Sequence, residues 1–482
     1  MFANVLSPEQ IKKVDQTSLR ILKEVGVVVP HEDMLGRFAD AGAEVDLSKQ
    51  RVKIPAELVQ KSLAKAGKQF TLYGRDMTRT AEFGIGKRNY NSTAGEALWL
   101  EEPGGERRYP TLEDVAIATR FADGLDHITM PGSMADPHEL PVEWRCVAVA
   151  AEMIKNTTKP ITFWYHDRAS AAYINELLVA LRGSAAEAEK YPLCYPFLEP
   201  ISPLHFPYNG VDLLYETSKL KLPVPIGPMA QTGMSAPATL AATMAVENAE
   251  ILAGICITQL IREGMSVCYG GVCHAFDMAT TQLIFSGPEQ AIYGVALTQM
   301  GKHYGLPVYV NVGLTDSKLP DAQAGLESGV TLSLAAAAGA DIFGHMGICG
   351  VDQATSLDIL VLQDEIISYV ESVNRVMDFS DEAFGFDVIA EAGPRGTFID
   401  KMHTALHFRK ELWFPKLLNR QYYDAWQAEG CKSLQEKCAA KKKDILETHA
   451  PEPIDKDLDR ELTRIVSKAK KALSTAAAAA GV

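Results

Sequence analysis

Six short segments of this chain end in residues able to bind or react. They are Trp164-Tyr165-His166-Asp167, Tyr195-Pro196-Phe197-Leu198-Glu199, Met229-Ala230-Gln231, Tyr269-Gly270-Gly271, Asn311-Val312-Gly313 and His345-Met346-Gly347. Aromatic residues recur on three of them, and Phe206, Tyr208 and Phe276 follow in adjoining loops. Converging ring faces with few basic neighbours make a cage for a cation, each face worth roughly 0.5–2 kcal/mol toward a quaternary ammonium. The bland alternative is that each ring packs beneath a loop. Trp164, Tyr165, Tyr195, Phe197, Phe206, Tyr269, Gln231 and Asn311 are therefore the candidate binding residues. His345 is the candidate catalytic residue. It follows the short run Asp341–Gly344 and precedes Met346-Gly347, where a ligand can approach the backbone closely. An imidazole there can hold a carboxylate or act as acid or base; a satisfied core histidine is the alternative.

Two further clusters carry polar or ligating side chains. Cys268-x4-Cys273-His274 with Cys349 offers thiolate and imidazole ligands, but its spacing is not that of a zinc finger, and small cysteines in strands are usually core. No metal site is expected. The loop Leu314–Gly325 carries Asp316, Lys318, Asp321 and Gln323, with Asp321 placed to cap a helix; partner docking is the weaker alternative.

These segments need a frame. Short apolar runs occur at His127–Pro131, Pro160–Tyr165, Tyr191–Leu198, Pro223–Met229, Met265–Gly271, Pro307–Gly313 and Ala340–Met346, each starting 31 to 42 residues after the last. Segments of helical spacing separate them, among them Val142–Lys155, Ala236–Arg262, Pro288–Tyr304 and Ala322–Ala338. That alternation implies βαβ units and a parallel sheet. With an eighth strand expected near Glu96–Glu101, the spacing predicts an α/β fold of the (β/α)8 TIM-barrel type, in which chemistry sits at the C-terminal strand ends. Residues 1–85 read as an N-terminal α+β cap, 86–375 as the catalytic barrel and 376–482 as a C-terminal helical extension. Ser7, Thr111 and Ser286 are each placed to cap a helix.

Composition sets the boundaries. The 482 residues are 47% hydrophobic, and 47 Lys and Arg against 61 Asp and Glu leave a net charge of −14, which argues against nucleic-acid binding. Most of the 8 cysteines lie inside apolar runs, the pattern of reduced thiols. The N-terminus lacks a basic flank before an apolar core, and the apolar stretch Thr239–Ile261 contains Glu247, Asn248 and Glu250. It reads as a buried helix, not a membrane span. A cytoplasmic protein is expected.

Four stretches carry a resemblance: Gly313–Gly325 (GLTDSKLPDAQAG), Glu199–Leu204 (EPISPL), Val246–Leu260 (VENAEILAGICITQL) and His407–Pro415 (HFRKELWFP). Together they resemble the trimethylamine:corrinoid methyltransferase superfamily. The resemblance implies a (β/α)8 barrel and methyl transfer from a methylated amine to the Co(I) corrinoid of a partner protein. The trimethylamine enzymes carry pyrrolysine, whereas every position here is a standard residue. Members without pyrrolysine resemble methyltransferases for quaternary amines such as glycine betaine, proline betaine, carnitine or γ-butyrobetaine. His345 looks like the active-site histidine of the glycine betaine enzymes. No Asp-x-His-x-x-Gly corrinoid-carrier motif is found, so the corrinoid is expected on the partner. A homo-oligomer is expected as well. The competing readings are a zinc-dependent methyltransferase and a non-catalytic betaine-binding protein.

Overall fold

The computed structural model describes residues 3–480. Five β-strands, Asn89–Ser92, Val224–Ile226, Val267–Gly271, Val308–Asn311 and Ile342–Met346, form a parallel sheet with helices packed around it. In space the order is 89–92, 342–346, 308–311, 267–271, 224–226. The register pairs Tyr269 with Val308, Val310 with Phe343, and Phe343 with Tyr90.

Beyond each edge the pairing continues only as single bridges: Asn91 with Met130, Gly132 with Thr162, and Leu198 with Ile226. Ile161 N–H donates to the Leu193 carbonyl at 3.2 Å. The three expected strands in this region are thus bridged segments without ladders. Their prolines explain why: Pro131, Pro160, Pro192 and Pro196 have no N–H to contribute.

The strand expected near Glu96–Glu101 is not the sheet's edge; Asn89–Ser92 takes that place. Trp99–Leu100 instead pairs with Arg107–Arg108 and with Thr355 in a small separate sheet. The true edge strand is Asn-Tyr-Asn-Ser, too polar to register as an apolar run.

Alternation along the strands sorts side chains onto two faces. Val267, Tyr269, Val308, Val310 and Phe343 join the large core beneath the helices. Cys268, Tyr309 and Ile342 meet Met130 and Tyr195 in a second cluster on the other face. That cluster is completed by Leu72, Ala81 and Phe83 of the antiparallel hairpin formed by Phe70–Tyr73 and Thr80–Phe83. The hairpin spans the starts of the strands. Gly84 N–H donates to Asp341 Oδ1 (2.8 Å), Asn89 Nδ2 to the Glu82 carbonyl (2.8 Å) and Tyr73 N–H to the Pro192 carbonyl (2.8 Å). One end of this inner face is therefore floored.

The N-terminal part adds a three-stranded antiparallel sheet and the helices Pro8–Arg20, Glu32–Asp40 and Ala56–Lys65. Ser18 Oγ donates to the Ala245 carbonyl (2.8 Å), tying Pro8–Arg20 to the helix Leu240–Ile261. That helix is long and apolar enough to cross a membrane, but it is buried inside the protein and serves as its central core helix. Within the C-terminal extension, the helices Tyr423–Ala428 and Leu434–Thr448 are separate because Gly430 turns left-handed and Ser433 with Glu436 starts a new capping box. Lys456–Ala480 is a 25-residue helix pinned by Lys155–Asp459 (2.8 Å) and Lys468–Glu176 (2.8 Å). Ser7 and Thr111 cap their helices, whereas Gly287, not Ser286, occupies the third cap. Trp413 Nε1 donates to Ser368 Oγ (2.9 Å) and anchors the segment that follows the helix Met402–Glu411.

Candidate active site

Four rings from four different β segments meet in a closed circuit near the strand ends. Trp164 lies edge-on to Phe197 (5.9 Å between centroids, 88°), Phe197 to Tyr309 (5.3 Å, 69°), Tyr309 tilts onto His345 (6.0 Å, 59°), and His345 returns edge-on to Trp164 (5.8 Å, 88°). Trp164 is fixed by its Nε1 donating to the Gly95 carbonyl at 3.1 Å. Two glycines make the space: a Cβ at Gly227 would strike the Phe197 ring, and one at Gly344 would strike the Tyr309 hydroxyl and Asn91 Oδ1. A cavity of about 470 Å³ opens beside the rings, lined by Trp164, Phe197, Glu199, Met229, Gln231 and Ser235.

The polar groups around this circuit are short of partners. The Tyr309 hydroxyl, Asn91 Oδ1 and Asn311 Oδ1 are buried and bond to nothing. Asn311 Nδ2 stands 3.2 Å from His274 Nε2, and His274 Nδ1 is unpartnered. Burial pushes the His345 imidazole down to about 4 and His274 to about 3, so both rings are neutral at ordinary pH. Three carboxyl groups go the other way. Burial and the neighbouring Asp352 lift Glu199 to about 7. Burial lifts Asp352 to about 6, and burial with Asp352 as its hydrogen-bond neighbour holds Glu96 well above the usual carboxylate range.

Of the residues singled out in the sequence, Trp164, Phe197 and His345 stand in the ring circuit, Gln231 lines the same cavity, and Asn311 sits on the inner face beneath it. Tyr195 faces inward but lies in the floor layer, edge-on to Phe83 at 6.4 Å. Tyr165 borders the same cavity, with its Oη held 3.3 Å from Cys194 Sγ; Tyr269 points the other way, its Oη donating to Asn248 Oδ1 at 2.9 Å. Phe206 is core beneath the N-terminal sheet, its N–H donating to the Val28 carbonyl (2.9 Å). Tyr309, Asn91, Glu96 and Asp352 were not singled out, and Glu199 stood at a segment end without a role. Tyr309 sits two residues before Asn311, the spacing of a shared strand face, which is the signal that would have found it.

The cysteines do not converge. Cys268 is inside the inner cluster, Cys273 bonds toward Glu247, His274 stacks on Phe285 (4.6 Å) and Cys349 Sγ donates to the Ala354 carbonyl (3.5 Å). Among the described residues no three His, Cys, Asp or Glu side chains gather to hold a metal.

The loops bearing these groups are held from behind by the central helix. Glu247 Oε2 accepts from Ala230 N–H (3.0 Å) and Oε1 from Val272 N–H (2.8 Å). Glu250 Oε2 accepts from Ser202 Oγ (2.7 Å), and its other oxygen from Leu204 N–H. Two carboxyls one turn apart on one helix thus fix three strand-end loops.

Comparison with known proteins adds the decisive fact: residues 1–474 match the model of the family described as trimethylamine methyltransferase (MTTB). The chain belongs to the MTTB family. It is 29% identical over 470 residues to a glycine betaine methyltransferase of Desulfitobacterium hafniense (strain Y51), covering 97% of each chain. It is 29% identical over 486 residues to a trimethylamine methyltransferase of Methanosarcina barkeri (strain Fusaro / DSM 804), covering 97% of this chain and 96% of that one. A solved structure of the Methanosarcina barkeri monomethylamine methyltransferase aligns with 97% of this chain and 92% of its own at 10% identity and a TM-score of 0.49. This MTTB-family chain is a methyltransferase, and its matches run nearly end to end.

Proposed function

We propose that this chain moves a methyl group from a quaternary ammonium to the Co(I) corrinoid of a partner protein. Glycine betaine, giving dimethylglycine, is the first substrate indicated by kinship, with proline betaine, carnitine and γ-butyrobetaine as alternatives. The observation that carries the reading is the circuit Trp164–Phe197–Tyr309–His345, which presents π faces and a neutral imidazole to a cation.

The chemistry balances without a proton. The Co(I) electron pair forms the bond to the methyl carbon as the C–N bond breaks; the bonding pair stays on nitrogen, and a neutral tertiary amine leaves. The protein's work is to align that C–N bond with cobalt and to exclude water. A neutral His345 suits this role because it neither repels the cation nor has to supply a proton.

The same reading includes the finer fold. The five-stranded sheet and the three bridged segments are proposed to close as a (β/α)8 barrel, with 1–85 as cap and 376–482 as extension. The bridges at both sheet edges and the Ile161–Leu193 hydrogen bond support closure. Exposed apolar side chains on residues 376–423, among them Val376, Phe386, Ile399 and Tyr422, support a homo-oligomer.

The test is anaerobic methylation of cob(I)alamin by purified protein with a panel of quaternary and tertiary amines, followed by absorbance. Methylcobalamin is expected from a quaternary amine and not from trimethylamine. Transfer from trimethylamine alone, or silence across the panel from folded protein, overturns the proposal.

A further inference from the structure

We infer that residues 374–412 form an arm that pairs with the same arm of a second copy of this chain, the acidic first half of each lying along the basic second half of the other. The inference rests on the proposed homo-oligomer and gives it a surface and a mode of pairing.

The arm folds without a core. It contains the helices Asp381–Phe384, Phe386–Ala392 and Met402–Glu411, yet no residue from 371 to 416 is buried. Helices this short do not hold in water without packing. Eleven large apolar side chains between 376 and 412 are exposed, Val376 at 95% and Ile399 at 86% among them. At roughly 100 Å² apiece they offer on the order of 1,000 Å² per copy, more than the patch a monomer leaves bare and enough for an obligate homodimer.

Its position points away from the corrinoid partner. The helix Leu357–Val373 begins beside the strand ends, where Ser356 N–H donates to the Gly347 carbonyl (2.9 Å). It finishes at the floor, where Glu371 Oε1 accepts from Arg88 Nε (2.6 Å) and Tyr90 Oη (2.5 Å). The arm leaves from that end. It is tied back along the same helix by Trp413 Nε1 donating to Ser368 Oγ (2.9 Å) and Leu417 N–H to Glu365 Oε1 (3.0 Å). The ring circuit and its cavity lie at the opposite end of the strands, where the partner has to present its cobalt. A second copy is the occupant that leaves that end free.

Charge fixes which way the arms lie. Residues 376–391 carry Asp378, Asp381, Glu382, Asp387 and Glu391 and no Lys or Arg. Residues 395–412 carry Arg395, Lys401, Arg409 and Lys410 against Asp400 and Glu411. Lys401 and Glu391 pair across the two halves at 2.8 Å; among the described residues, the other acids of the first half and the other bases of the second form no ion pair. A two-fold axis makes each contact serve twice. With like halves together, five carboxylates would face five; with the arms crossed, each acidic half meets a basic one.

The experiment measures self-association of the full chain by sedimentation, for the unaltered protein and two surface variants. One combines Asp381→Lys with Asp387→Lys, the other Arg409→Glu with Lys410→Glu. Each variant alone should weaken the pairing about tenfold or more in Kd, because like charges then face across both contacts. An equimolar mixture of the two should recover the unaltered affinity, since the altered patterns complement each other. If either variant fails to fold, carbodiimide coupling of unaltered chains decides: carboxylates of 378–391 should join Lys401 or Lys410 of a differently labelled copy. An oligomer indifferent to both variants, a mixture that stays dissociated, or coupling within single copies alone overturns the inference and leaves the homo-oligomer standing. A monomer at every concentration overturns both, and the methyl transfer keeps its own separate assay.

Discussion

The Trp164 indole and the His345 imidazole stand edge to face, their centroids 5.8 Å apart and their planes at 88°, so each ring limits the other's rotation. Removing the imidazole opens one side of the circuit. His345→Ala should lower kcat for methyl transfer by about tenfold or more, as expected for loss of substrate alignment. His345→Phe should recover part of that if ring shape is what counts. Stopped-flow absorbance of the cobalt product reads both.

Trp164 presents the largest π surface in the site. Trp164→Ala should raise KM for the quaternary amine about 2- to 30-fold, the equivalent of roughly 0.5–2 kcal/mol of cation–π attraction. Trp164→Phe should sit between the two. An unchanged KM in Trp164→Ala would remove the cage from the mechanism.

Two tyrosines outside the ring circuit serve as controls. Tyr165→Phe and Tyr269→Phe should leave KM unchanged, since their hydroxyls are engaged by Cys194 and Asn248. Tyr269→Phe should still cost about 1 kcal/mol in urea unfolding for the lost buried hydrogen bond.

Glu247 joins two strand ends through one carboxyl. Glu247→Ala strands the N–H groups of Ala230 and Val272 and should destabilise the protein by about 2 kcal/mol or more. At temperatures where it stays folded, it should also raise KM, because Gln231 and His274 sit beside the released atoms.

His345 and His274 predict an acid-side loss of stability. Their folded values lie below the ordinary 6.5, so below that pH the unfolded chain takes up protons that the folded chain refuses. Their contribution to stability therefore falls as pH drops from about 6.5 toward 4. His274→Asn should flatten that part of the urea-midpoint profile relative to the unaltered protein.

What the sequence showed follows from how strongly each element is written. Val267–Gly271 ends an apolar run and Val308–Asn311 is mostly β-branched or aromatic, both between helices, and their places in the sheet were readable. Asn89–Ser92 is polar because its asparagines face the interior, so apolarity could not find it. Trp164 and Tyr165 are neighbours in sequence, yet only Trp164 joins the ring circuit; composition cannot distinguish them, and only strand register does. Tyr309 was hidden for the opposite reason, sitting mid-strand where aromatic residues are commonly core. Glu96, Glu199 and Asp352 belong to three distant loops, and nothing short of the fold brings them together.

The hairpin of Phe70–Tyr73 and Thr80–Phe83 closes one end of the inner face, and the cavity beside Trp164 and Phe197 gives the doorway at the other. On the proposed reaction, amine and cobalt must use that doorway in turn. The amine loads first, the corrin plane then covers it, and the demethylated product waits until the partner departs. Turnover is therefore ordered, and a partner that lingers slows it. Methyl-loaded partner, having nothing left to accept, should act as a cork, trapping amine inside and holding new amine out.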